Sequence, residues 1–159
     1  PHINLQLPHA RIIIASHGAD LERCLAMIQE PDRFEIHNGF VPGEVMAALY
    51  QRTCLVALPY ITAGTSGVLL DAYGFGKPVV ASDVGVLPEY VEDGRTGVLV
   101  PPADEEQLAH AVVQLLADDD LRHRMGENAK RWVTELQQSI ASDTLEIYER
   151  ALSLGAGTA

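Results

Sequence analysis

Residues Cys54–Ser82 read CLVALPYITAGTSGVLLDAYGFGKPVVAS, and the fold is decided there. Cys54–Leu58 is an unbroken apolar run closed by Pro59, the pattern of a strand buried on both faces. Ile61–Thr65 is a loop of small residues, Gly67–Phe75 a short helix, and Pro78–Ala81 a second buried strand. Strand, helix and strand in this order make a parallel βαβ unit. Ser66 stands where a helix N-cap belongs, with Gly67 at the first helical position. The backbone N–H groups of Gly67, Val68 and Leu69 are therefore expected to point into the crevice at the strand's carboxyl end, where open α/β sheets bind ligands. Such a helix start favours a phosphate or diphosphate, and Gly64 and Gly67 put no side chain in its way. Asp71 follows Gly67 by four residues and shares its helix face. Spacing alone leaves two readings of Asp71 equally open, a carboxylate for a diol such as ribose or a solvated helix residue.

Working outward, the same alternation continues. Arg11–Ser16 (RIIIAS) reads as a buried strand ended by His17-Gly18. Asp20–Ile28 follows as a helix with Leu21, Cys24, Leu25 and Ile28 on one face. Phe34–His37 is a short strand ending at Asn38-Gly39, and Pro42–Arg52 the next helix. A small helix near Pro88–Glu92 leads to the strand Val98–Val100. Beyond residue 103 the pattern is all helical. Asp104 is an N-cap with Gln107 at the answering position, and Leu108, Val112, Leu115 and Leu116 form an apolar stripe. Asp118 or Asp120 caps a second helix with the stripe Leu121, Met125, Ala129 and Trp132. A third helix is expected over Leu136–Leu152, then a frayed tail, Gly155–Ala159. The fold class is α/β: a Rossmann-like parallel sheet with helices on both faces and C-terminal helices.

Composition narrows the function. With 159 residues the chain has room for one globular core. A net charge of −11 argues against nucleic acid and anionic membrane as partners, because both reward clustered Lys and Arg. No apolar run approaches the length of a membrane span. Cys24 and Cys54 lie in apolar stretches without a C-x-x-C pattern, so they read as reduced core residues and point to a cytoplasmic setting. His2, His9, His17, His37, His110 and His123 lack metal-ligand spacing; His17, at a strand end, reads as a loop or core residue. Neither a metal nor a cofactor is expected. Gly76-Lys77 imitates a P-loop, but Asp71 occupies the required first glycine and Pro78 replaces Ser/Thr. Gly64-x-Ser66 imitates a nucleophile elbow without its closing glycine. Asp118-Asp119-Asp120 follows a helical stripe and reads as capping and solvation.

Several motifs then carry a resemblance. Gly67-Val68-Leu69-Leu70-Asp71-Ala72, Gly76-Lys77-Pro78-Val79-Val80-Ala81-Ser82-Asp83-Val84-Gly85, Leu87-Pro88-Glu89 and Glu92-Asp93-Gly94-Arg95-Thr96-Gly97-Val98-Leu99-Val100-Pro101-Pro102 resemble the C-terminal domain of retaining GT-B glycosyltransferases of group 1, or family 4. The likeness runs from about Pro8 to Leu152. It implies that residues 1–159 are one nucleotide-sugar-binding domain, with 104–152 its all-helical end. It also implies transfer of a sugar from a nucleoside diphosphate sugar to an acceptor held by an N-terminal domain of the same protein, so this segment alone is expected to be inactive. Carried over motif by motif, Asp71 falls where the family's ribose-binding glutamate lies, and Gly39-Phe40-Val41 matches the loop beside the nucleotide base. Gly85–Glu89 reads as structural.

Two departures qualify the resemblance. Ala63 stands where the family has a glutamate near the reacting centre, so no catalytic residue is assigned here. The loop Ala63-Gly64-Thr65-Ser66-Gly67 would then use backbone amides and hydroxyls in its place, with Val68 beside them. Secondly, RIIIAS matches the family's second strand, and the ten residues before it hold neither Lys nor Arg. The first strand–helix unit, with its basic diphosphate grip, is thus expected to be missing. In the family order 3-2-1-4-5-6 it would lie centrally. It would come from another chain, from upstream residues, or, least readily, from Ile3–Leu7. Other readings of the chain are a nucleotide-sugar epimerase or phosphorylase of the same fold, or a non-catalytic interaction domain. No pyridoxal-phosphate lysine marks a phosphorylase.

Overall fold

A computed structural model of the chain describes residues 3, 7–16 and 19–155. His17 and Gly18 fall outside the described residues, as do the tail residues 156–159. The strands are β1 (Ile12–Ser16), β2 (Phe34–Asn38), β3 (Val56–Leu58), β4 (Val79–Ser82) and β5 (Gly97–Val100). The helices are α1 (Ala19–Leu25), α2 (Gly43–Arg52), α3 (Gly67–Gly74), α4 (Leu87–Tyr90), α5 (Glu105–Ala117) and α6 (Asp119–Gly155), with a 3-10 turn at Pro31–Arg33. Every ladder is parallel, in two sheets: β1-β2 and β3-β4-β5. The α/β architecture read from the alternation is the one observed.

The larger sheet is covered on both faces, which is why its strands read as continuous apolar runs. Side chains alternate along β4. Val79 and Ala81 point into a cluster with Leu58, with Leu69, Ala72 and Tyr73 of α3, and with Ala129 and Val133 of α6. Val80 points the other way, into a cluster with Val100, Met125 and Ala111, Val112 and Leu115 of α5. All four residues of β4 are buried. Two close approaches bring α6 onto α3. Gly126 carries no side chain because a Cβ there would fall 2.1 Å from the Gly76 carbonyl oxygen. Trp132 packs edge-on against Tyr73 and Tyr90, with both ring centroids 5.7 Å away.

Caps fix the element starts. The Asp104 carboxylate accepts from the Gln107 N–H at 2.9 Å and from its side-chain amide at 2.8 Å, which lowers the pKa of Asp104. At α6 the capping residue is Asp118, which accepts from Leu121 N–H at 2.8 Å. Asp119 pairs with Arg122. The acidic triplet therefore serves the helix start.

The structure corrects several expectations. One helix runs through Asp119–Gly155, where two were expected. No Gly or Pro interrupts residues 133–136, and the β-branched pair Val133-Thr134 only lowers helix propensity slightly. α1 ends at Leu25, not Ile28. Cys24 and Cys54 are both exposed and unpaired, not core residues. Cys24 falls off the buried side of a helix whose covered position is Leu21, and Cys54 lies ahead of β3 in the turn after α2. The option that Ile3–Leu7 forms a strand also fails: Ile3 is helical, and Leu7 N–H donates to the Ile3 carbonyl at 2.8 Å; residues 4–6 lie outside the described residues. No helix among the described residues is long and apolar enough to cross a membrane.

Candidate functional site

Parallel strands align their carboxyl ends, so the loops after β1 and β2 emerge on one edge of their sheet, and the loop after β3 at the carboxyl edge of its own. Tyr60 and the small-residue loop 61–65 follow β3, and Ser66 then caps α3. Its backbone is extended at φ −108° and ψ 106°, and its Oγ accepts from Leu69 N–H at 3.3 Å. That bond corrects the expectation for Leu69, whose N–H is taken by the cap. Gly67 and Val68, at the first two helical positions, have no intrahelical acceptor. A Cβ at Gly67 would meet nothing within 4 Å, and the same holds at Gly64. Gly64, Thr65, Gly67, Val68 and Asp71 are all exposed, and Ser66 is half-buried. The helix start is therefore open to a ligand and unobstructed.

Asp71 lies one turn further along α3. Its carboxylate acts on the Tyr50 hydroxyl of α2: burial first, then the charge of Asp71 and the neighbouring Tyr60, pushes the Tyr50 pKa up to about 12. Tyr50 thus stays neutral at ordinary pH and can donate to the Val68 carbonyl, at 3.4 Å. Its ring stacks on Phe75, with centroids 5.0 Å apart.

Beside this helix start, Tyr60 has no role in the sequence reading, and Gly85 is read there only as structural. Tyr60 places its hydroxyl 3.5 Å from Ser66 Oγ, at the limit of a hydrogen bond; its place directly after Pro59 was a signal available in the sequence. Gly85 has φ +56°, and a Cβ there would fall 1.9 Å from the Ala63 carbonyl oxygen. Only glycine lets the loop after β4 sit this close beneath Ala63. The structural reading of Gly85 therefore acquires a local purpose: it sets the position of the loop that leads into α3.

The other expected residues lie on the smaller sheet. Gly39 follows β2 with φ +117°, and its N–H donates to the Ser16 carbonyl at 3.2 Å, tying this loop to the end of β1. Phe40 is 90% exposed, and Val41 is half-buried. Lys77, the P-loop imitator, donates to the Gln51 carbonyl at 3.4 Å. A hollow of about 320 Å³ opens beside the carboxyl ends of β3, β4 and β5, lined by Pro59, Ile61, Ser82, Val100 and Leu108 among others. Gly64–Asp71 do not line it.

Residues 1–118 match the family model for glycosyl transferases group 1. The chain belongs to the group 1 glycosyltransferases. Among curated proteins it is 36% identical over 122 residues to an alpha-D-kanosaminyltransferase of Streptomyces kanamyceticus, covering 75% of this chain and 31% of that protein. It is 39% identical over 114 residues to a D-inositol 3-phosphate glycosyltransferase of Corynebacterium aurimucosum, covering 71% of this chain and 27% of that protein. The group 1 chain thus spans less than a third of the length of these two relatives. Among solved structures it superposes on a sucrose-phosphate synthase from Thermosynechococcus elongatus with TM-score 0.83 and 28% identity, covering 95% of this chain and 41% of that one. The fold of this group 1 member is the Rossmann-like α/β fold of GT-B transferases.

Proposed function

We propose that this group 1 chain supplies the donor-binding half of an enzyme that moves a sugar from a nucleoside diphosphate sugar to an acceptor. One observation carries the reading: an unobstructed, Ser66-capped helix start at the carboxyl edge of a parallel sheet, with a carboxylate one turn along. In this reading the diphosphate accepts hydrogen bonds from the Gly67 and Val68 amides, and the positive end of α3 favours its charge. Gly64, Thr65 and Ser66 line its approach, with Thr65 offering a hydroxyl. Asp71 accepts from the ribose hydroxyls. Gly39, Phe40 and Val41 lie beside the base, where the exposed Phe40 ring offers a stacking surface. The acceptor is held by an N-terminal domain of the same protein, as the fraction of the relatives' length left unmatched would allow.

The division of labour follows from the residues present. Ala63 has no group to transfer a proton or stabilise charge, so the chain binds and orients the donor and leaves the acceptor side to the partner domain. The test is thermal unfolding of the chain with uridine, guanosine and adenosine diphosphates. A ligand at 100 times its Kd stabilises the folded state by about 2.7 kcal/mol. One nucleotide should raise the unfolding midpoint, and Asp71→Ala should abolish most of the rise. No rise with any nucleotide, in this chain and in the complete polypeptide alike, contradicts the reading.

A further inference from the structure

The hollow beside the carboxyl ends of β3, β4 and β5 has a polar group at its base that nothing else in the fold uses. Ser82 ends β4 and lines the hollow. Side chains alternate along a strand, so Ser82 faces the side of Val80, toward α5. Ser82 is 2% exposed, yet its hydroxyl is hydrogen-bonded to no described residue. Among the described residues the polar side-chain atom that is both sealed and unpaired is Arg33 Nη1. Ser82 Oγ is therefore still reachable, and the space that reaches it is the hollow. A nearly buried hydroxyl without a partner is costly, and such groups in folded proteins usually have a role outside the packing.

The rest of the lining selects the ligand. Its charged members are Asp104 and Glu105, with no Lys, Arg or His beside them. Hydrogen bonds from Gln107 lower the Asp104 pKa, which keeps that carboxylate ionised at neutral pH. Pro59 and Pro101 bring no N–H to the walls. A phosphate would thus meet like charge and few donors, whereas hydroxyl and ammonium groups meet acceptors. The volume of about 320 Å³ lies at the small end of ligand sites, roughly 300–1,000 Å³, which suits one ring and not a nucleotide. Ile61, 75% exposed, and Leu108 offer apolar surface to the C–H face of such a ring.

We infer that this hollow binds a single sugar ring, neutral or amino-substituted and without phosphate. One ring hydroxyl meets Ser82 Oγ, and further hydroxyl or ammonium donors meet Asp104 and Glu105. Membership of the group 1 glycosyltransferases makes sugars the ring ligands at hand. The loop after β3 gives Ile61 to the hollow and Gly64 and Thr65 to the start of α3. The hollow is therefore a second site, whose lining owes nothing to a nucleotide at α3.

The test is ligand-observed saturation-transfer NMR at mildly acidic pH, on the 159-residue chain and on the complete polypeptide alike. The probes are methyl α-D-glucopyranoside, D-glucosamine, which is cationic there, and inorganic phosphate. Both sugars should bind saturably, glucosamine the more tightly, and phosphate should displace neither. Ser82→Ala removes one hydroxyl and should weaken both sugars by about fivefold. Glu105→Gln, at an exposed side chain, should remove the preference for glucosamine and leave the neutral sugar nearly unchanged. No saturable signal from either sugar, or binding indifferent to Ser82→Ala, overturns the proposal. Displacement by phosphate contradicts the charge selection, and displacement by uridine diphosphate moves the sugar to the start of α3; either result overturns it as well. Should Ser82→Ala fail to fold, Ile61→Ala gives a second readout at an exposed position. Both sugars should then bind more weakly, and unchanged binding contradicts the site.

Discussion

Two glycines at the site separate binding from folding. At Gly67 an added methyl meets nothing within 4 Å, and alanine is the better helix former. Gly67→Ala should therefore leave the unfolding midpoint unchanged or slightly raised. It should weaken nucleoside diphosphate binding by about tenfold, or 1.4 kcal/mol, because in the proposed reading the methyl stands where the diphosphate approaches. Gly85→Ala should do the opposite first. Its φ of +56° and the 1.9 Å approach to Ala63 make alanine strained and clashing, at a cost of at least about 1–3 kcal/mol. Thermal unfolding and calorimetric titration of both variants check the contrast. Asp71→Ala should remove about 1–3 kcal/mol of donor affinity if it loses hydrogen bonds to the ribose, with little change in stability for an exposed side chain. The helix start was legible: capping rules place the Ser66 cap and Gly67 at the first helical position, whereas spacing left the role of Asp71 open. The close approach at Gly85 was not legible, because its partner is a carbonyl 22 positions away, and no local pattern records a close approach across a sheet.

At the level of elements, short-range chemistry was readable and long-range cover was not. The caps at Ser66, Asp104 and Asp118 and all five strands follow from signals within a few residues. The exposure of Cys24 and Cys54 depends on what packs above them, which a single apolar stretch does not state. The continuity of α6 is written in the same spacing, because Leu136 follows Trp132 by four residues with no Gly or Pro between them. Ser66→Ala should cost about 1 kcal/mol, the usual value of an N-cap, measured by denaturant unfolding. β2 and α2 are joined by Glu35, which accepts from Arg52 at 2.6 and 3.1 Å and meets His37 at 2.9 Å. Arg52, then His37, lowers the Glu35 pKa from 4.5 to about 2. A depressed carboxylate contributes stability that is fully present above its unfolded pKa and lost as pH falls through the folded one. The difference in unfolding midpoint between the native chain and Glu35→Gln should thus hold above pH 4.5 and shrink toward pH 2. A difference independent of pH contradicts the assignment.

At the scale of the whole molecule, the described strands form two parallel sheets flanked by helices. The sequence order of strands and helices was enough to read the class. The separation into two sheets was legible only through the resemblance, since ladder partners are not written in any one strand. The central claim concerns the start of α3, and one measurement bears on it most directly: a crystal structure of the complete polypeptide with its nucleoside diphosphate. The account predicts diphosphate oxygens within hydrogen-bond distance of the Gly67 and Val68 amides, and ribose hydroxyls on the Asp71 carboxylate. A nucleotide bound elsewhere, with those amides and Asp71 facing only water, would contradict it.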